Sequence, residues 1–503
     1  MLATVDSCLL AGMEGRLVEV QADAANGEPR FLLVGLASAS VKEARDRVRS
    51  AIRNSGMPFP QRRLTVNLAP PEMRKEGSAL DLPIAVAVLL AHQGLKPPPR
   101  SAFLGELALD GTVRHVDGVL VAARWLHRRG YERVFVPHAD AAEASFVDGI
   151  DVIPCADLSS VMRHLAGVEP IPSVVAHSPD EAQVARTTEH DLAEVHGQEE
   201  ARRALEIAAA GGHHVLMSGP PGAGKTMLAR CLPGILPPLE LGEALEVAQV
   251  RSLLGELPAG RPVDWVRPFR APHHGVSMAG LIGGGSGLAS PGEISRAHHG
   301  VLFLDELAEF QSTVLQALRQ PMEAGRVTIT RSGGSVAYPA RFTLVAATNP
   351  CPCGWAGDPR RACRCTPAAI DAYQRKLSGP LLDRIDLKVN VRRVPPALLA
   401  SEPVGEASEP VRARVIAARR RQQGRQGCLN AMLKPARLRA QASLEPGPRR
   451  TLERWAEQQG LSARGFHRAW RVARTAADLD GSDSIDDRHV LEALGYRLHD
   501  AAA

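Results

Sequence analysis

The chain has 503 residues, 45% of them apolar and 23% charged, which is ample for ordinary cores and too long for one compact unit. Its net charge of +5 permits nucleic acid as a partner without arguing for it. No apolar run approaches the ~20 residues of a membrane span, and Met1 to Leu10 carries Asp6 and no basic region, so the expectation is a cytoplasmic protein with no membrane partner and no signal peptide.

Residues 1–166 read as a mixed α/β domain. Leu64–Leu68 and Val134–Val136 have the character of short strands. Val41–Asn54 has helical spacing, with Val41, Val48 and Ile52 on one face. Leu82–Leu90 is nearly all apolar and reads as a buried helix. A linker is expected over 167–189, punctuated by Pro170, Pro172, Ser173, Ser178 and Pro179. In the second domain, 190–394, a helix opens at His196–Glu200, runs through Ala210 and stops at Gly211 and Gly212. Val215–Met217 is then a short buried strand. A second linker, 395–410, precedes a helical region, 411–503. There Arg412, Arg414, Arg419, Arg420, Arg421 and Arg425 crowd one stretch, as a solvated helix face or as a surface for phosphates.

The chemistry is concentrated after Val215–Met217. Gly219, Pro220, Pro221, Gly222, Ala223, Gly224, Lys225 and Thr226 form Gly-x4-Gly-Lys-Thr between a strand and a helix, the context of a phosphate-binding loop. Side chains at the glycines would block the backbone N–H groups from the phosphates of ATP. Lys225 offers a charge to the β- and γ-phosphates, and Thr226 a hydroxyl to Mg²⁺. The buried strand Val301–Leu304 delivers Asp305 and Glu306 at its C-terminal end, where open α/β sheets place ligands. Asp305 is expected to hold Mg²⁺ through water, and Glu306 to polarise the attacking water as general base. A third strand, Phe342–Ala347, leads to Asn349, whose amide can orient that water. Arg384, between Asp383 and Asp386, is a candidate arginine finger.

Four of the eight cysteines, Cys351, Cys353, Cys363 and Cys365, lie within fifteen positions. Clustered thiols in a reducing compartment point to a closed structural Zn²⁺ site, with reduced, unliganded cysteines as the alternative. The pairs His273-His274 and His298-His299 invite a metal reading, but no carboxylate lies at metal spacing, so structural or interface roles are expected.

Together these residues resemble an AAA+ ATPase, and the likeness is closer still. Phe269–His274, Pro291–Ser295, Ala297–Gly300 and Ala347–Gly354 are similar to the ComM/YifB, magnesium-chelatase-like family, as are Val66–Pro70, Arg74–Ala79 and Val472–Leu479. The resemblance implies an α/β architecture: a Lon-protease-like N-terminal domain, an AAA+ core with a parallel sheet and a C-terminal helical lid. It also implies a homo-hexameric motor that binds single-stranded and branched DNA and promotes branch migration in natural transformation. Asn349 would be sensor 1, Arg384 a finger acting on the neighbour's ATP, and Arg464 sensor 2. Two inserts would touch DNA: residues 272–287, with Gly283-Gly284-Gly285 as a flexible tip, and the hairpin 325–334. The hairpin would face a central pore, with Thr328 and Arg331 toward the phosphates. In the Lon-like domain Glu106 and Gly111 match a strand and turn, but the nucleophile position falls at Ala79, with Ser78 one place off, and the lysine position at Leu120. Peptidase activity is therefore not expected. Two other readings are kept, the motor subunit of a metal chelatase and an ATP-dependent protease.

Overall fold

The computed structural model describes residues 1–35, 39–71, 75, 77–174, 190–257, 263–285, 289–331, 334–358, 360–377, 381–399 and 405–497. The N-terminal part is a seven-stranded sheet. Its strands are β1 (Leu2–Ala11), β2 (Glu14–Ala25), β3 (Arg30–Val34), β4 (Arg63–Ala69), β5 (Ser101–Phe103), β6 (Arg133–Pro137) and β7 (Asp151–Cys155), in the order β3-β4-β2-β1-β5-β6-β7. The sheet is mixed: β1 and β4 pair antiparallel with β2, whereas β5, β6 and β7 run parallel. Helix α1 (Ala39–Asn54) buries Val48 and Ile52; the side chain of Val41 lies outside the described ones. Helix α2 (Asp81–Gln93) is buried from Asp81 to Ala91, as its unbroken apolar run requires. Its first carboxylate is held by Arg47, whose Nε and Nη2 donate to Asp81 at 2.8 and 3.0 Å. Such pairing is what permits an acid at 1% exposure.

Part of the expected linker is docked. The backbone N–H of Ile171 donates to His164 Nδ1 at 2.8 Å, and Val174 bridges to Val152 of β7. Residues 175–189, with Ser178 and Pro179, lie outside the described residues.

The second part is a five-stranded parallel sheet of β8 (Val215–Ser218), β9 (Phe269–Arg270), β10 (Val301–Leu304), β13 (Thr343–Thr348) and β14 (Leu387–Asn390), ordered β9-β10-β13-β8-β14. Between β10 and β13 runs the hairpin β11 (Arg326–Arg331) and β12 (Gly334–Pro339), in the register Ile329↔Val336. Its alternation is as the sequence requires: Val327, Ile329, Val336 and Tyr338 are buried, while Thr328, Thr330 and Arg331 are exposed. The tip, Ser332 and Gly333, lies outside the described residues. The buried face packs against Ala289, Ile282, Leu253 and Met13. The two inserts therefore form one lobe, braced by the β1–β2 turn. A Cβ on Gly12 in that turn would lie 2.1 Å from Val336 Cγ1, so only glycine allows the approach. The glycine run at 283–285 is not simply a tip, because Gly283 and Gly284 pair antiparallel with Ser290 and Pro291.

The lid begins at α7 (Ser408–Gln426), a few residues ahead of the expected start. Ser408 sets it: its N–H donates to Asp191 Oδ1 at 3.0 Å and its Oγ accepts from Leu192 N at 2.8 Å. Residues 400–404 of the expected linker lie outside the described ones. The arginine-rich stretch is neither of the two surfaces expected. Arg412 donates to Gly234 O, Arg414 to Glu206 and Glu406, and Arg419 to Ala209 O. Arg425 makes a bidentate pair with Asp478 at 2.7 and 2.9 Å, and Arg421 reaches Asp483. Arg420 makes no hydrogen bond or ion pair among the described residues. The stretch fastens the lid to the core.

The two sheets meet through helices α3 (Val119–Arg128) and α6 (Leu241–Ser252). Arg124 Nη1 donates to Gln249 Oε1 at 2.7 Å, and Gly118 N to Ser252 O at 3.0 Å. Glu143 sits buried at this seam, accepting from Leu120 N and Ser252 Oγ, both at 3.1 Å. Burial, reinforced by the charge of Asp140, pushes its carboxyl up from 4.5 to about 7. The unfolded chain releases this proton near pH 4.5 and the folded chain near pH 7, so the seam loses stability as pH rises through that window. Glu143→Gln, neutral at every pH, is expected to stabilise the protein at pH 8 by about 1–3 kcal/mol and to leave it little changed at pH 5. Thermal scans at the two pH values check this, and equal shifts at both would refute it.

Candidate nucleotide site

Strand register builds the site. Ser218 of β8 lies level with Thr348 of β13, and Leu304 of β10 with Ala346. The loop after β8, the acids after β10 and Asn349 after β13 therefore emerge side by side at the C-terminal edge of the sheet. Gly219 opens the loop, and a Cβ there would lie 2.1 Å from Val391 O, so the turn can pass under β14 only as glycine. Helix α5 (Lys225–Ile235) starts at Lys225, directing its N-terminal N–H groups into the loop.

Lys225 is 8% exposed. Its Nζ donates to Gly219 O at 2.6 Å, Pro220 O at 3.0 Å and Asn349 Oδ1 at 3.2 Å. Burial lowers its pKa, while the charges of Asp305 and Glu306 act in the opposite direction. Thr226 Oγ1 donates to Asp305 Oδ2 at 2.8 Å. The hydroxyl and carboxylate are thus already convergent, the oxygen pair that Mg²⁺ requires beside a triphosphate. A Cβ at Gly222 or Gly224 would meet nothing within 4 Å, so this face of the loop is open to a ligand.

Glu306 takes a left-handed backbone, φ 50°, an uncommon state for a side-chain-bearing residue and one that functional sites favour. Its N–H donates to Asp305 Oδ1 at 2.9 Å, and its Oε2 lies 3.5 Å from His274 Nδ1. The sequence singled out His274 only as half of a pair; its carboxylate partner stands 32 positions away and carries no local signal. Gln198 was equally hidden. Its Nε2 reaches Ala223 O at 3.5 Å and also donates to Arg392 O, tying the loop to the residues after β14.

The finger and sensor 2 positions stand apart from these contacts. Arg384 is 9% exposed, and its Nη2 donates to Glu323 just before the hairpin. Arg464 lies exposed in the first turn of α8 (Ala463–Leu479), capped by Ser462, and makes no hydrogen bond or ion pair among the described residues. Two residues beyond Arg384, Asp386 is buried against His213, whose Nδ1 lies 3.2 Å away and whose Nε2 meets Thr475 Oγ1 of α8 at 2.8 Å. Burial alone would raise the Asp386 carboxyl, but His213 and the charge of Arg468 hold it well below the usual range. This network carries the lid onto the strand end that bears Arg384.

Cys351, Cys353, Cys363 and Cys365 place their Sγ atoms within 4.8 Å of one another, three of the pairs at 3.4–3.6 Å. A tetrahedron of thiolates around Zn²⁺ needs about 3.8 Å between sulfurs. Backbone N–H groups of Ala356 and Cys365 donate to Cys351 and Cys363 Sγ, and those of Arg364 and Trp355 pull the Cys353 thiol down to about 6. Against the pull of the Cys353 backbone, burial and the neighbouring sulfurs push Cys365 up to about 12. Four sulfurs converging on one point, with backbone donors beside them, fit a structural Zn²⁺.

The second histidine pair does acquire carboxylates, which spacing did not reveal. Glu246 Oε2 lies 2.9 Å from Nε2 of both His298 and His299, and Glu243 Oε1 is 3.3 Å from His299 Nδ1. Yet Arg341 N–H donates to His298 Nδ1 at 3.0 Å, which leaves the proton of the neutral ring on Nε2, pointing at Glu246. A metal would need that lone pair. Burial lowers His298 to about 4, so the ring stays neutral and acts as a structural donor.

In the N-terminal sheet, Ser78 Oγ donates to Glu106, Leu120 is in the core, and the Lys75 amine donates to Pro70 O. No serine–lysine dyad is present among the described residues. Arg74 and Glu76 lie outside them.

Comparison with known proteins decides the family. Residues 191–399 match the family model for magnesium chelatase, subunit ChlI, 19–140 a second ChlI model, and 405–497 the ChlI C-terminal one. The competence protein ComM of Haemophilus influenzae is 43% identical over 505 residues, 99% of this chain and 97% of that protein. YifB of Escherichia coli is 42% identical over 504 residues, with the same shares. The chain belongs to the ComM/YifB family of magnesium-chelatase-like AAA+ proteins. A magnesium-chelatase 38 kDa subunit of Rhodobacter capsulatus is 29% identical over 31% of this chain. No described helix is long and apolar enough to cross a membrane.

Lys225→Ala removes the cation at the loop and is expected to weaken binding of a fluorescent ADP analogue by about 10–100-fold, the value of a charge-assisted contact. Fluorescence titration measures it, with unchanged circular dichroism as the control for folding.

Proposed function

We propose that this protein is an ATP-hydrolysing motor that assembles as a homo-hexamer and drives branch migration of DNA during recombination, as in natural transformation. One observation carries the reading: Lys225, Thr226, Asp305 and Asn349 converge on an open loop in a chain that is similar over its whole length to a competence protein. The roles follow from placement. Lys225 binds the β- and γ-phosphates, Thr226 and Asp305 hold Mg²⁺, which supplies charge neutralisation at the phosphates, and Asn349 orients the attacking water. Glu306 accepts that water's proton, once its carboxylate leaves His274. Arg384 and Arg464 act between subunits, with Arg384 first released from Glu323. Cys351, Cys353, Cys363 and Cys365 hold Zn²⁺, which supplies a rigid cross-link.

DNA is gripped through the exposed hairpin face of Thr328 and Arg331, a sequence-independent contact that suits translocation. The domains are taken as 1–166, 190–394 and 411–503 with two linkers, the N-terminal one serving assembly or DNA binding. A chelatase motor subunit is the second reading, favoured by the matching family models. Against it stands the short span shared with the chelatase subunit of Rhodobacter. Proteolysis has no dyad to support it.

The deciding experiment is migration of a synthetic four-way junction by wild type and Glu306→Gln. Wild type is expected to show DNA-stimulated ATP hydrolysis and to resolve the junction into duplexes. Glu306→Gln is expected to retain nucleotide and to lose about 10²-fold or more in turnover, the usual worth of a general base. ATP hydrolysis without DNA binding, or metal insertion into a porphyrin with partner subunits, would overturn the reading.

A further inference from the structure

The four-cysteine loop and the nucleotide loop touch. Gly354, between Cys353 and Trp355, has φ 82°, and a Cβ built on it would lie 2.5 Å from Pro221 Cδ and 2.7 Å from Pro221 Cγ. Pro221 is the third residue of the phosphate-binding loop. The same short segment begins at Asn349, which accepts from Lys225 Nζ, and reaches Cys351 two residues later. The cysteine loop has a second anchor. Two guanidiniums lie over the Trp355 ring, Arg361 Cζ at 4.3 Å and Arg393 Cζ at 4.8 Å from its centroid. Arg393 follows β14, which pairs with the strand feeding the nucleotide loop, and the neighbouring Arg392 O accepts from Gln198.

We infer that the four-thiolate site is a metal-dependent brace for the nucleotide loop, so that Zn²⁺ at Cys351, Cys353, Cys363 and Cys365 sets the affinity for ATP and ADP. The inference rests on the zinc reading above. The physical reason is geometric. Backbone N–H groups grip phosphates only if the loop is held open and fixed before the ligand arrives. Pro221 has no N–H to donate and a rigid ring, and Gly354 lies close against that ring. Gly354 is in turn flanked by Cys353 and by Trp355, whose ring lies under Arg361 and Arg393. With the thiolates cross-linked, Gly354 presses on Pro221 and Asn349 faces Lys225. With the cross-link gone, both contacts depend on a loop of irregular backbone, and nucleotide must bear the cost of ordering it.

Two glycines allow a matched test. Gly354 and Gly357 have nearly the same backbone strain, φ 82° and 76°, but a Cβ at Gly357 would meet nothing within 4 Å. In the full-length protein, zinc is counted with a colorimetric chelator after mercurial release, and affinity is read by titration with a fluorescent ADP analogue. Gly354→Ala is expected to keep one zinc per chain and to weaken binding at least tenfold, while Gly357→Ala keeps both zinc and affinity within twofold. The double variant Cys363→Ser/Cys365→Ser is expected to lose zinc and to weaken binding at least tenfold. Equal affinities for the two alanine variants overturn the brace. So does loss of zinc with affinity intact. A wild-type protein without zinc overturns the metal's part in it, whatever the glycine pair shows. None of these readouts involves DNA, so failure of the junction assay leaves the inference standing, and its own failure leaves the motor reading standing.

Discussion

A lysine ammonium buried among oxygens that carry no full charge is the constraint on which the nucleotide site is organised. Lys225 meets two loop carbonyls and one amide, and the nearest acids contribute at longer range. Such a cation is incompletely compensated. The site therefore carries a standing demand for anionic oxygens on its open face, and the surrounding elements each serve to keep that demand in place: Gly219 lets the loop pass under Val391, Asn349 receives the third proton, and Thr226 leaves its hydroxyl to Asp305. The seven-stranded sheet, the lid and the cysteine loop stand outside this contact set, yet each is fastened to an element that borders it.

How much of this could be read from residue order depended on range. The loop, Asp305, Glu306 and Asn349 were legible because each is a short apolar strand followed at once by its functional group, and strand ends in a parallel sheet converge. The four cysteines were legible for the same reason of proximity. The hairpin also gave itself away, since alternation around a glycine turn needs no distant partner. What was not legible was every contact whose halves are far apart in sequence: His274 with Glu306, Glu246 with His298 and His299, and Arg384 with Glu323.

The arginine-rich helix shows the same limit from the other side. Six arginines in fourteen positions look like a surface feature when only their neighbours in sequence are visible. Their partners are carbonyls near the ends of two core helices, the acids Glu206 and Glu406, and Asp478 and Asp483 of the lid. Charge density alone cannot distinguish a cation that waits for a phosphate from one already paired, and here most are paired. The expected glycine tip is more than a tip for a related reason: Gly283 and Gly284 are also paired as strand, because glycine serves a tight antiparallel approach as readily as it serves a turn.

The seating of Val336 against Gly12 has a mechanical meaning. The hairpin is a cantilever whose inner face bears on the first turn of another sheet, Val336 seated directly on Gly12 with Met13 beside it. A force applied at its outer face, where Thr328 and Arg331 stand, cannot simply bend it inward; it must carry the N-terminal sheet along or open the seam at Glu143 and Ser252. The N-terminal sheet then stands behind the hairpin, and a load on the hairpin's outer face passes into that sheet.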